Sequence, residues 1–216
     1  MKKFAEYTIW DSVTPQAVTS STDATPIVVT KASHGYSTGD KVVINGHTTN
    51  IAANGIFKIT VLTSSTFSLQ DVNTGADVAG SGAGAGSSGV VALAPKVLLV
   101  EDFLNVVLQV DTTGSFNGTF KIAGSLGKKK SDATAISGDT PNFSATQTPS
   151  NPYSLVQIIN LATAAAVDGA TGVTSAGTDL HNLYEVNVNG LKYLSIIPTA
   201  WTAGAISVKA MCYSNE

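Results

Sequence analysis

HGYSTGDKVVINGHTTNIAANGIFKITVLTSSTFSLQD, running from His34 to Asp71, reads as one self-contained β unit on which the rest of the chain can be laid out. His34 to Asp40 is a turn cluster in which Gly35 and Gly39 permit positive φ. KVVIN (41–45) follows as a short strand, and Asn45-Gly46 is the dipeptide of a tight type I′ turn. Asn54-Gly55 marks a second turn. Beyond it Ile56, Lys58, Thr60 and Leu62 alternate with Phe57, Ile59 and Val61, a period of two that predicts a strand. Thr63 to Thr66 is another polar turn, and FSLQ (67–70) a third strand. Short strands this close together predict a meander or a small barrel.

The order of these signals, HG-x-STGD-x-V-x-I-x-G, then NG-x-F-x-I-T, then T-x-F-x-L, resembles a small β-barrel module of tailed-bacteriophage virion proteins. It is also similar to the barrel inserted in ubiquitin-activating enzymes. His34, Gly35, Thr38, Gly39, Asp40, Val42, Ile44, Gly46, Asn54, Gly55, Phe57, Ile59, Thr66, Phe67 and Leu69 carry the match. The resemblance covers under a third of the chain and implies a fold, not a chemistry.

Outward from that unit, residues 4–13 alternate as a strand, and 14–26 is a polar linker with Pro15 and Pro26 near its ends. IVVTKAS (27–33) opens the module. NTGADVAGSGAGAGSSG (73–89) is too poor in bulky groups to pack and reads as a second crossing. From Val97 onward, strands separated by turn residues at roughly ten-residue spacing predict a sandwich or jelly roll. The strands are NVVLQVDTT, TFKIAGSL, 153–161, and three more within 183–214. Turns are expected at Thr113-Gly114-Ser115, Asn117-Gly118, 168–172 and Thr202–Gly204, with a hairpin at Asn189-Gly190 and 162–167 left open. The expectation is an all-β protein, a sandwich or jelly-roll-like domain with a small barrel module inserted near the N-terminus. Its divisions are 1–24, 25–94 and 95–216, the first pairing with the last.

The C-terminal part is similar, more loosely, to β-sandwich domains of phage virion proteins. Pro152, Asp168, Gly169, Gly172, Asn187, Asn189, Gly190, Leu191, Gly204 and Val208 carry that match.

Composition narrows the function. The 216 residues carry only 12% charged side chains, a net charge of −3 and no arginine among twelve basic residues. Arginine is the residue suited to bidentate phosphate and base recognition, so a nucleic-acid partner is not expected. The single cysteine, Cys212, lies in an apolar run and reads as a small buried hydrophobe. Glu6 and Asp11 interrupt any apolar stretch near the start, so no signal peptide and no membrane segment is expected.

The chemistry-bearing residues do not form recognisable constellations. Gly84, Gly86 and Gly89 spell G-x-G-x-x-G, but a glycine-rich tract precedes them and a strand follows, the reverse of a dinucleotide site. His34, His47 and His181 lack helical ligand spacing, and His34 is expected to fix its own turn. No nucleophile elbow is present, and Glu101-Asp102 would alternate across a strand. Asp77, Asp168 and Asp179 sit in Gly-rich loops without calcium-loop spacing. Lys128–Lys130 reads as a solvated loop tip, and Asn117 and Asn142 head sequons of no consequence in a cytoplasmic product. No catalytic, cofactor-binding or metal residue is therefore assigned.

The expected function is a non-enzymatic structural protein of a phage particle, assembled in the host cytoplasm. Within that class the expectation is a capsid decoration protein that binds the major capsid protein and is itself a homo-oligomer, with a trimer suspected. A tail, baseplate or fibre part is the alternative. A carbohydrate-binding module is another, and would need Tyr36, Tyr153 or Trp201 on a flat stacking platform.

Overall fold

The computed structural model describes residues 3–72, 74–82, 89–126 and 154–214. They fold as all-β structure in two compact units. One holds residues 15–72, 74–82 and 89–94, and the other 3–14, 95–126 and 154–214. Strand β1 (Lys3–Val13) belongs to the second, larger unit.

The small unit contains β2 (Gln16–Ala17), β3 (Ser20–Ser21), β4 (Val28–Thr30), β5 (Lys41–Asn45), β6 (Gly55–Thr63), β7 (Thr66–Asp71) and β8 (Val90–Leu93). They form one antiparallel sheet in the order β2-β8-β5-β6-β7-β4-β3. Its two end strands are neighbours in the chain, separated only by Val18 and Thr19, so the sheet must roll up on itself. The polar stretch 14–26 thus supplies both strands at the seam. Ile27, Val29, Val42, Ile44, Phe57, Ile59, Phe67, Leu69 and Val91 fill the interior. From Phe57 to Thr60 β6 alternates as expected, with Phe57 and Ile59 buried and Lys58 and Thr60 exposed, while Ile56, of the same set as Lys58, is buried as well.

Asn45-Gly46 does not make the two-residue turn that the dipeptide suggests. Gly46 has φ +89°, but Asn45 is not among the positive-φ residues, and a type I′ turn needs both. The chain instead makes a loop to Gly55, with a 3₁₀ turn at Ile51–Ala53. The Asn54 side chain closes it, accepting from the His47 N–H (2.9 Å) and donating to the His47 carbonyl (2.8 Å). A side-chain amide therefore stands in for the missing strand pair.

The larger unit adds β9 (Leu98–Leu99), β10 (Asn105–Ser125), β11 (Ser154–Leu155), β12 (Ile158–Asn160), β13 (Ala165–Val167), β14 (Val173–Ala176), β15 (His181–Asn187) and β16 (Tyr193–Ser214). β10 and β16 pair antiparallel from Asn105↔Tyr213 to Ser125↔Tyr193. Around them the sheet runs β1-β16-β10-β15-β12-β13, with β9 on β16 and β11 and β14 on β10.

Three expected turns are corners inside these two long strands. At Gly114 (φ +78°), Ser115 (φ +58°) and Gly204 (φ +81°) the register slips between Thr113 and Asn117, and both strands bend without reversing. The Phe116 N–H, freed from the ladder there, donates to Asp179 Oδ1 at 3.0 Å. Trp201 Nε1–H donates to the Gly204 carbonyl at 3.0 Å. The bend folds the sheet over itself as a sandwich. Trp10 and Trp201, on opposite sides of the corner, meet with ring centroids 5.4 Å apart, and Phe120 meets Tyr184 at 6.3 Å.

Asn189-Gly190 is a turn, with the Leu191 N–H donating to the Val188 carbonyl at 2.8 Å, but not a hairpin. β15 and β16 flank β10 on opposite sides, so this turn carries the chain across it. The run 153–161 changes partner part-way: β11 pairs with β10, the Val156 N–H extends that register to the Ile122 carbonyl, and β12 pairs with β15 instead. Residues 165–167 then pair back on β12 as a hairpin strand.

Candidate functional site

The residues singled out by type are spread over both units and mostly serve their own turns. His34 accepts the Tyr36 N–H on Nδ1 (3.0 Å), so Nε2 carries the proton it donates to the Thr63 carbonyl (3.0 Å). Its ring stacks on Tyr36 at 5.5 Å and meets the edge of Phe67, which fixes the HGYSTGD turn from inside. Burial, with the Asp40 charge added, pushes the Tyr36 phenol up to about 12. His47 is buried in the small unit, and His181 lies exposed on β15, 3.2 Å from Asp111.

The carboxylates are equally local. Asp168 accepts the N–H groups of Ala170 (2.8 Å) and Thr171 (3.1 Å), Asp77 accepts from Gln70, and Asp179 holds the corner at Phe116. Glu101 and Asp102 lie in a turn rather than on a strand and face Lys192 (3.6 Å) and Lys3 (2.6 Å). Among the described residues no three His, Cys, Asp or Glu side chains gather as a metal site. No helix among them is long and apolar enough to cross a membrane.

Cys212 is fully buried on the inner face of β16, and burial pushes its thiol up to about 11. Tyr36 is half-buried in the His34–Phe67 cluster and Trp201 is buried against Trp10, so neither offers a flat stacking surface. Gly89 packs against the His47 ring and leads into β8. Gly84, Gly86, Lys128–Lys130, Asn142, Pro152 and Tyr153 lie outside the described residues.

The feature that types and motifs did not single out is the outer face of the larger unit. On β10, Val106, Leu108 and Val110 point inward, so Asn105, Val107, Gln109 and Asp111 point out. The register aligns them in rows. Phe4, Tyr213, Asn105 and Asn187 form one, and Glu6, Met211, Val107, Glu185 and Ile159 the next. Thr8, Lys209, Gln109 and Leu183 form a third. Phe4, Met211, Leu183 and Ile159 are exposed large apolar side chains, interleaved with Glu6, Lys209 and Gln109.

Two open depressions lie on this face. One of about 160 Å³ is lined by Glu6, Val107, Gln109, Leu183, Lys209 and Met211. The other, of about 340 Å³, lies over Asn105, Ile159, Glu185 and Asn187. Between them Tyr213 donates its hydroxyl to Glu185 at 2.6 Å. That bond, with burial and the carboxylate charge added, pushes the phenol up to about 12. The face thus carries exposed apolar side chains interleaved with the charged groups of Glu6, Lys209, Glu185 and Asp111.

No family model and no curated protein sequence matches the chain. A crystal structure of the SPBc2 prophage-derived protein YomS is similar to it at 6% identity and a TM-score of 0.43, over 99% of this chain and 96% of that one.

Proposed function

We propose that the protein is a non-enzymatic structural component of a bacteriophage particle, a decoration protein that binds the head shell. The observation that carries this is the outer face of β1, β16, β10, β15 and β12. Its exposed apolar side chains, Phe4, Met211, Leu183 and Ile159, stand among Glu6, Lys209, Glu185 and polar amides, the mixture of apolar anchors and polar groups that protein contacts bury. The sequence resemblance of both units to modules of phage virion proteins supplies the particle, and the all-β fold is compatible with it.

Mass spectrometry of purified particles from cells carrying the gene tests the reading. A decoration protein is present in hundreds of copies and rebinds to heads stripped of it. A few to tens of copies would assign it to the tail, baseplate or fibre instead. Absence from the particle would remove the structural reading.

A further inference from the structure

We infer that two copies of the protein pair through the free edge of β1, antiparallel about a two-fold axis at Ala5, joining their larger sheets into one. The inference goes beyond the particle role and stands without it. Among the described residues, four strands end the two sheet paths. Three of them, β13, β2 and β3, are 3, 2 and 2 residues long, too short to template another strand. β1 is the exception at 11 residues.

Toward its C-terminal end β1 is engaged, since the Ile9 carbonyl accepts the Lys96 N–H and the Ser12 N–H donates to Ser207. Among the described residues nothing but β16 pairs with the stretch Lys3–Thr8, which leaves an edge roughly 20 Å long. Its five positions other than Ala5 are exposed. Phe4 (61% exposed) and Tyr7 (39%) sit on opposite faces of this edge, so apolar surface borders it above and below. The usual guard of such an edge, a lysine reaching into solvent, is turned aside, because Lys3 Nζ lies 2.6 Å from Asp102 and over the Phe103 ring. β16, by contrast, has β1 and β10 on its two sides along 206–213 and has no edge to offer there.

Charge selects the occupant and the register. In an antiparallel self-pair, residues opposite one another point to the same face. Centring on Glu6 would set the two Glu6 carboxylates against each other. Centring on Tyr7 would bring Ala5 against Ile9, whose carbonyl is already taken by Lys96. Centring on Ala5 sets Phe4 beside Glu6 of the second copy and Lys3 beside its Tyr7, with no like charges opposed. Of these three registers, the one centred on Ala5 opposes no like charges and uses no occupied carbonyl.

Sedimentation-velocity ultracentrifugation of the full chain over a concentration series, with hydrogen exchange at both ends of the series, tests the inference. A monomer–dimer equilibrium is expected, with amides of residues 3–7 gaining protection as the dimer forms. Phe4→Glu sets a carboxylate against Glu6 at two symmetry-related places and should weaken the dimer roughly tenfold. Because Phe4 is exposed, the variant should keep the wild-type melting profile. A monomer at all concentrations, a trimer or larger ring, or a dimer that leaves exchange at 3–7 unchanged would each overturn the inference. So would a Phe4→Glu variant that dimerises like wild type. Heads or tails that bind a monomer normally would sink this pairing while leaving the particle role standing.

Discussion

Replacing Gly204 by alanine tests the corner on which the larger unit turns. A Cβ at this position would stand 2.6 Å from Phe116 Cα, 2.8 Å from the Thr113 carbonyl oxygen and 2.9 Å from Phe116 N. All three are backbone atoms of β10, so no side chain can swing away to make room. The residue also has φ +81°, which costs a non-glycine residue about 1–2 kcal/mol. Forcing a methyl group into a packed site adds about 1–3 kcal/mol. Gly204→Ala should therefore destabilise the larger unit by about 2–5 kcal/mol and lower its melting temperature by roughly 5–15 °C. Gly190 supplies the control, because it has nearly the same φ (+82°) with nothing within 4 Å of its Cβ position. Gly190→Ala should show the backbone cost alone, about 1–2 kcal/mol. Thermal and urea unfolding followed by tryptophan fluorescence would report both, since Trp10 and Trp201 pack beside the corner. Equal losses in the two variants would refute the close approach of β16 to β10, and a loss below about 1 kcal/mol at Gly204 would refute the bend.

Three other outcomes follow from the same structure. Asn54→Ala removes both hydrogen bonds to the His47 backbone and should cost the small unit about 1–3 kcal/mol, read in urea unfolding as an earlier transition of that unit. Cys212 should be inert to a thiol reagent in the native protein at pH 8 and react fully in denaturant, as its burial and its thiol near 11 require; a reactive native thiol would contradict its place in β16. Cys212, Tyr36 and Tyr213 all hold their protons more tightly folded than unfolded, raised to about 11, 12 and 12 from 9.0, 10.0 and 10.0. Their contribution is therefore complete below about pH 9 and lost as pH rises toward 12, so melting temperature should fall across that window and not below it.

The strands of the small unit were legible because their turns carry the information locally. Gly35 (φ +71°) and Gly39 (φ +98°) adopt the positive φ that the HGYSTGD cluster implies, and β6 keeps its period of two from Phe57 to Thr60. The dipeptides were less informative where the chain had a partner elsewhere. Asn-Gly at 189–190 does turn, but the strand next to β15 is β10, some eighty residues earlier, and a local signal cannot report which strand arrives at an edge. Gly114-Ser115 and Gly204 look like loop residues for the same reason. A bulge and a turn need the same positive φ, and only the continuing ladder on the facing strand tells a bend from a reversal.

The outer face was not legible at all, and the cause is physical. Alternation separates a strand into two sets of side chains but does not say which set meets solvent. On β10, β15 and β16 the exposed set contains Val107, Leu183 and Met211, as apolar as many residues of the buried set. The inner set here is decided by the corner. Bending at Gly114 and Gly204 brings Trp201 onto Trp10 and Phe120 onto Tyr184, so whichever side those rings occupy becomes the core and the other is left as surface. Two glycines with backbone against backbone thus determine which apolar side chains this protein buries and which it shows to a partner. A change at the corner should for that reason disturb the outer face and the β1 edge together. Phe4→Glu, which leaves the corner alone, should act on association and not on folding.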